Sequence, residues 1–259
     1  MKIAILGAGA FGTALGGIMA AKGYDIDYYD SKVERESLRS VLSGAELITL
    51  AVPSAAVGYL LPHLPKNIPM LIATKGILSA EVFADFQDIM VVSGPGFASD
   101  IKAHRTTELT ITDSRVRDYL STDYLSFDYT TDITGVLLCG ALKNVYALLA
   151  GYLNLIPHSA AWQDYIASAS HEMRDILALN GASPATVDLA CGLPDLKLTC
   201  NRPSRNYEFG RTLSHNSQAV PIQTVEGLTA LRKIKNGAIK IPGTAVRLKY
   251  LIEESQKWN

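Results

Sequence analysis

Apolar runs of strand length recur through the first half of the chain. KIAIL follows Met1, and IDYYD (26–30), LITLAV (47–52), MLIA (70–73), IMVV (89–92), ELTIT (108–112) and YLSFD (124–128) succeed it. Helical stretches separate these runs, an alternation that predicts a largely parallel sheet covered by helices. The first helix is expected over about Phe11 to Lys22, ended by Gly23. Ser31 and Glu34 read as a capping box for a helix that stops before Gly44, and Pro53-Ser54 opens another. Past Asp132 the strand pattern ceases and long helical runs continue to the end. The expected division is therefore an α/β domain over 1–131 and an all-helical domain over 132–259.

The segment ITGVLLCGALKNVYALLAGYLNLI (133–156) is nearly long and apolar enough to span a membrane, yet Lys143 and Asn144 stand at its middle. A bilayer strongly disfavours both, so a core helix is expected. An ammonium buried there is costly unless charge partners compensate. Cys139, Gly140 and Ala147 lie at helical spacing from Lys143 and are small, leaving room for a ligand above the amine. The plain alternative is a lysine that runs along the apolar face to reach solvent.

The first run leads directly into Gly7-x-Gly9-x-x-Gly12. A sharp turn after the strand needs Gly7, close approach of a pyrophosphate needs Gly9, and tight packing of helix on strand needs Gly12. The helix that follows aims its N-terminal amides at the anion. Asp30, at the end of the second strand, falls at the spacing expected for a carboxylate on the adenosine ribose. The first domain is thus expected to be a Rossmann-type doubly wound sheet holding NAD. Lys32 and Arg35 are candidates for a 2′-phosphate and keep NADP open.

A second charged cluster occupies CGLPDLKLTCNRPSRNYEFG (191–210). Asp195 and Thr199 stand one helical turn apart, Arg205 offers a planar fork suited to phosphate, and Asn206 supplies an amide donor. Asp195 is placed to neutralise and aim Lys143. Taken alone, the segment also reads as a solvated helix end capped by Ser204.

The 24 basic and 25 acidic residues give no field that would attract nucleic acid or a membrane surface, so function is expected in a pocket. Three cysteines, Cys139, Cys191 and Cys200, and five histidines match no zinc pattern, and no metal site is expected. The chain enters its first strand directly, so no signal peptide is expected and a reducing cytoplasm is the expected compartment. His171, Glu172 and Asp175 could approach one another on a helix and bind metal, but without a third firm ligand a surface polar network is the expectation there. Tyr24, Tyr28 and Tyr29 are expected to pack at the sheet edge, and Cys200 is assigned no role.

GAGAFGTAL (7–15), ATKG (73–76), SGPGFASD (93–100), GALKNVYALLAG (140–151), DLKLTCNRPSRNYEFG (195–210) and VEG (225–227) occur in that order. In these motifs the chain resembles the NAD(P)-dependent glycerol-3-phosphate dehydrogenases. The resemblance implies reversible reduction of dihydroxyacetone phosphate to sn-glycerol 3-phosphate, for glycerophospholipid synthesis and NADH balance, by a homodimer. It makes Lys143 the catalytic proton donor or acceptor and puts Lys75 at the shared edge of cofactor and substrate. Asp195, Thr199, Ser204, Arg205 and Asn206 are implied around the substrate with Asn144, and Arg205 also on the cofactor. Gly94, Gly96 and Ala98 correspond to the turn near substrate and nicotinamide, Ala10 and Phe11 to the cofactor loop, and Glu226 to a nicotinamide-side contact.

The chain departs from the family pattern at several places. It is shorter by several tens of residues, chiefly between Asp30 and Leu47, so contacts around adenine and ribose are expected to be reduced. Gly96 stands where a small hydroxyl residue is usual, Asp100 replaces glutamate and Pro194 replaces glycine. HSAAWQDYIASAS (158–170) lacks the lysine and arginine normal at the start of its helix. Two other readings stay open: a related reductase of small hydroxy acids or ketones, and a non-catalytic NAD-responsive binding protein.

Overall fold

A computed structural model describes residues 1–32, 37–201 and 204–258. The chain forms two compact units, residues 1–74 with 80–133, and residues 75–79 with 134–259.

The first unit is built on strands β1 (Lys2–Leu6), β2 (Asp25–Tyr29), β3 (Leu47–Leu50), β4 (Met70–Ile72), β5 (Ile89–Ser93), β6 (Thr107–Ile111) and β7 (Leu125–Tyr129), in the order β2-β1-β3-β4-β5-β6-β7. Helices α1 (Ala10–Ala21), α2 (Leu38–Leu42), α3 (Ser54–Leu60), α4 (Ala98–Lys102) and α5 (Val116–Leu120) connect them. β1, β3, β4 and β5 are almost continuously apolar and buried, as interior strands of a parallel sheet must be. β2 and β7, at the edges, carry half-exposed polar residues. In register, Ile5 sits between Tyr28 of β2 and Thr49 of β3.

β5 and β6 pair antiparallel, whereas β6 and β7 pair parallel. The last two strands therefore run against the first five, a reversal that hydrophobic periodicity does not encode. Leu15 and Met19 of α1 pack on Ile3, Ile5, Leu71 and Met90, and the same cluster continues through Ile101, Val116 and Leu120 of α4 and α5. Tyr24 meets Tyr119 edge to face at 5.8 Å, and the Tyr28 ring edge lies over Gly16. α2 starts later than the capping box predicts. Its cap is Ser37, which accepts from the Ser40 amide at 3.1 Å, while Ser31 lies in a turn. Glu34 and Arg35 fall outside the described residues.

The second unit is helical: α6 (Ile133–Tyr152), α7 (Ala160–Leu179), α8 (Leu193–Thr199), α9 (Arg205–His215), α10 (Glu226–Lys235) and α11 (Val246–Glu254). No strand occurs among its described residues. Among the described residues, α6 is the helix long and apolar enough to cross a membrane, and 89% of its apolar window is buried inside the protein. It is the core helix that its all-round apolar character predicts.

The expected surface network at His171, Glu172 and Asp175 is not what the structure contains. His171 and Asp175 are exposed, but Glu172 turns inward and is 4% exposed. Its carboxylate accepts from the Tyr146 hydroxyl at 2.9 Å and from the Arg247 and Leu248 amides at 2.9 and 3.2 Å. It thereby caps α11, whose own N-cap residue, Ala245, has no polar side chain to do so. No cluster of metal-ligating side chains occurs among the described residues.

Candidate active site

In the first unit the glycine turn has the shape that its spacing predicts. Gly7 has φ +107°, and a Cβ there would fall 2.6 Å from the Ala51 carbonyl oxygen. A Cβ on Gly12 would collide with the Gly7 carbonyl, so α1 and β1 can lie this close only without one. A Cβ on Gly9 would meet nothing within 4 Å. The tight positions are thus set by the protein itself, and the open one is where an outside group can approach the backbone. Gly9 caps α1 without a side chain, and Ala10 and Phe11 form the first turn of the helix. No side-chain cap competes with an anion there.

Asp30 reaches back to this turn. Its Oδ2 accepts from the Ala8 amide at 3.1 Å and its Oδ1 from the Lys32 amide at 3.0 Å. The carboxylate expected on ribose also braces the glycine turn. Gly94 and Gly96 follow β5 and are joined by a 2.8 Å bond from the Gly96 amide to the Gly94 carbonyl; Ala98 opens α4. Both turns leave the carboxyl ends of parallel strands, the edge at which open α/β sheets bind ligands.

In the second unit, Lys143 projects from the middle of α6 to α8. Its Nζ lies 2.5 Å from Asp195 Oδ1 and donates to Thr199 Oγ1 at 3.1 Å. The Thr199 hydroxyl donates in turn to Asp195 Oδ1 at 3.4 Å, and Lys75 Nζ donates to Asp195 Oδ2 at 3.3 Å. Two ammonium groups therefore share one carboxylate. The Lys143 and Asp195 side chains are 5% and 1% exposed, and that of Lys75 is 22% exposed.

Burial holds the proton affinity of Lys143 well below the ordinary lysine range. The Asp195 charge opposes this, and the neighbouring Lys75 ammonium reinforces it. Cys200, directly after α8, is buried, and burial pushes its thiol far up against the smaller opposing effect of Lys143. A thiol held protonated offers no nucleophile.

Asn206 joins three helices. Its Nδ2 donates to Asn144 Oδ1 at 2.8 Å, and its Oδ1 accepts from the Gly227 amide at 2.8 Å. Asn144 Nδ2 donates to the Gly140 carbonyl at 3.0 Å. Since the Gly227 amide can only donate, the orientation of both side-chain amides is fixed along the chain of bonds. Ser204 is buried and caps α9 by accepting from the Tyr207 amide at 3.5 Å. The capping role that its position suggests is present. Arg205 is exposed in the first turn of α9, and Glu226, half-buried, opens α10.

Lys75, Lys143, Asp195 and Thr199 form one polar cluster, and Asn144 and Asn206 form an adjoining one. The sequence does not reveal that Asn206 spends its oxygen and one donor on neighbouring helices, nor that Gly227 receives it. The usable signal was the small residue after Glu226: a Cβ at Gly227 would lie 2.5 Å from the Asn144 carbonyl oxygen.

The family model described as the C-terminus of NAD-dependent glycerol-3-phosphate dehydrogenase matches residues 132–247. A glycerol-3-phosphate dehydrogenase acting with NAD(P)+ from Pseudomonas entomophila is 30% identical over 291 aligned positions, spanning 92% of this chain and 85% of its own. Its counterpart from Neorickettsia sennetsu is 28% identical, spanning 91% of this chain and 86% of its own. Among solved structures, the glycerol-3-phosphate dehydrogenase of Coxiella burnetii superimposes with a TM-score of 0.80 at 26% identity, over 99% of this chain and 97% of that one.

Proposed function

The chain belongs to the glycerol-3-phosphate dehydrogenase family, and from that membership we propose that it reversibly reduces dihydroxyacetone phosphate to sn-glycerol 3-phosphate with NADH or NADPH. The observation that carries this reading is the buried Lys143, bonded to Asp195 and Thr199 and bordered by Lys75. Residues 1–131 are assigned to dinucleotide binding and 132–259 to substrate binding and catalysis.

Gly7, Gly9, Ala10, Phe11 and Gly12 would hold the pyrophosphate, in keeping with the open space above Gly9. Asp30 would take the adenosine ribose. Its negative charge beside the turn favours NAD over NADP, although Lys32 remains available to a 2′-phosphate. When bound, the cofactor supplies hydride to C2 of the ketone and takes it back in the reverse direction.

In reduction, negative charge grows on the ketone oxygen. A preorganised ammonium stabilises that charge more than the neutral ground state, and Lys143 then gives its proton to the oxygen. In oxidation the same group must accept the hydroxyl proton. Burial and Lys75 favour the free amine it needs, and Asp195 keeps the amine aimed. Arg205 would secure the phosphate with its exposed fork, aided by the first-turn amides of α9, while Asn206, Ser204 and Thr199 shape the pocket. Gly94, Gly96, Ala98 and Glu226 are assigned to the nicotinamide and substrate end. Glycerophospholipid synthesis, a cytoplasmic setting and a homodimer complete the proposal, supported by the family resemblance and, for the setting, by three buried free cysteines.

The test follows NADH and NADPH absorbance after addition of dihydroxyacetone phosphate to purified protein, with Lys143→Ala as control. Rapid consumption that depends on Lys143 is expected. NADH binding without turnover of any ketone would instead mark a binding protein, and turnover of unphosphorylated acids alone would mark a related reductase.

A further inference from the structure

Lys143 and Asp195 lie on different helices, α6 and α8, so their contact is only as well defined as the spacing of those two helices. Both are fastened to a third. From α7, the Trp162 indole Nε1 donates at 2.7 Å to the carbonyl of Cys200, the C-cap residue of α8 next to Thr199. One turn on, the Tyr165 hydroxyl donates at 2.6 Å to the carbonyl of Tyr146, which lies one turn beyond Lys143 on α6. Trp162 and Tyr165 share a face at the i,i+3 spacing, and both are buried. We propose that Trp162 and Tyr165 are positioning residues that clamp α6 and α8 at the separation needed for proton transfer through Lys143.

Three features support the clamp. Both acceptors are main-chain oxygens, so the bonds locate helix backbones and not rotatable side chains. The start of α7 is itself fixed, because Ser159 accepts from the Trp162 amide at 3.2 Å. α6 is tied to α7 a second time, through the Tyr146 hydroxyl and Glu172.

The inference rests on the reading of Lys143 as the proton-transfer group. The charged and titratable groups around its amine are Asp195 from α8, Lys75 from the 75–79 segment and the Cys200 thiol. Of these Asp195 alone raises its proton affinity. If α8 is released, that support weakens.

The test compares Trp162→Phe and Tyr165→Phe, which keep an aromatic ring at each position and remove the donors, with Leu177→Ala. Leu177 is a buried α7 residue whose side chain has no polar atom. Rates of glycerol 3-phosphate oxidation across pH and melting temperatures are measured for each, with Lys143→Met alongside. In either Phe variant kcat is expected to fall about ten-fold with KM little changed, as for a small misplacement of reacting groups. The limb along which the oxidation rate rises with pH is expected to move to lower pH. Leu177→Ala should melt earlier with its limb in place. A limb that is unmoved or moved upward in both Phe variants, or a loss that lies wholly in KM, overturns the clamp. If Lys143→Met retains turnover, the reading of Lys143 fails and the clamp with it; if it is inactive while the Phe variants resemble Leu177→Ala, the clamp alone fails.

Discussion

Lys143 Nζ lies 2.5 Å from Asp195 Oδ1, with both side chains withdrawn from solvent. Buried ion pairs are poor sources of stability, because desolvation offsets most of their attraction. A chain that keeps one inside a long, buried apolar helix is using it for something else. Lys143→Met is expected to lower turnover by about 10²- to 10⁴-fold, the range for loss of a general acid or base. NADH affinity, followed by cofactor fluorescence, should be retained. Turnover close to the parent value would remove Lys143 from the chemistry.

The pH dependence has a definite sign. With its proton affinity lowered by burial and by Lys75, Lys143 should give glycerol 3-phosphate oxidation a rate that rises with pH along a limb below the ordinary lysine range. Asp195 opposes the lowering, so residual activity in Asp195→Asn should show the limb at still lower pH. Lys75 contributes to it, so Lys75→Ala should show the limb higher. Profiles of kcat against pH for the three proteins decide the matter, and shifts in the same direction would refute the assignment.

Gly9 and Gly12 separate cofactor binding from folding. A methyl at Gly9 meets no protein atom within 4 Å, whereas one at Gly12 strikes the Gly7 carbonyl. Gly9→Ala should melt like the parent protein but bind NADH at least about ten-fold more weakly, if the backbone there must touch pyrophosphate. Gly12→Ala should lose about 1–3 kcal/mol of stability from overpacking. Calorimetry and NADH titration of both variants check the pair, and unaltered affinity in Gly9→Ala would displace the pyrophosphate from this turn.

Arg205 stands exposed in the first turn of α9. Arg205→Ala should cost about 1.5–3 kcal/mol for each charge-assisted hydrogen bond to the phosphate. The loss should appear in kcat/KM for dihydroxyacetone phosphate and leave NADH binding nearly as it was. An unchanged kcat/KM would rule out a phosphate contact.

Glu172 should behave as a structural group. Glu172→Gln places an amide nitrogen among the Tyr146 hydroxyl and the Arg247 and Leu248 amides, all donors. A loss of roughly 2 kcal/mol is expected in denaturant unfolding, with KM for the triose phosphate unaffected. A large KM change would tie this carboxylate to the site.

Most of the strands and the Lys143 cluster were legible in the sequence, because each followed from a strong local or chemical constraint. A charge in an apolar helix demands a partner, and the acidic residue in the next charged segment supplied one. Glu172 escaped because it adjoins exposed His171, and polarity alone does not tell which side of a helix a carboxylate occupies. The telling pattern was positional: Ala169, Met173 and Ile176 line the buried face around it. The reversal at β6 escaped for another reason, since strand direction is decided by the path of the connection and period-two patterning is the same either way. α2 begins behind Ser37 and not behind Ser31, since both serines can cap and only tertiary context selects between them. The chemistry of Asn206 is visible in the sequence, but its partners come from two distant segments that no local pattern links.

Residues 75–79 are counted with the helical unit although they are embedded in the sequence of the sheet unit. The backbone passes from one unit to the other at 74/75, at 79/80 and again at 133/134, so no one cleavage point separates them. A fragment beginning at Thr134 would leave behind Lys75, and with it the cation facing Asp195 Oδ2. Such a piece, expressed by itself, carries a half-compensated carboxylate in its interior, and any dissection of this enzyme into halves has to carry that pentapeptide across the cut.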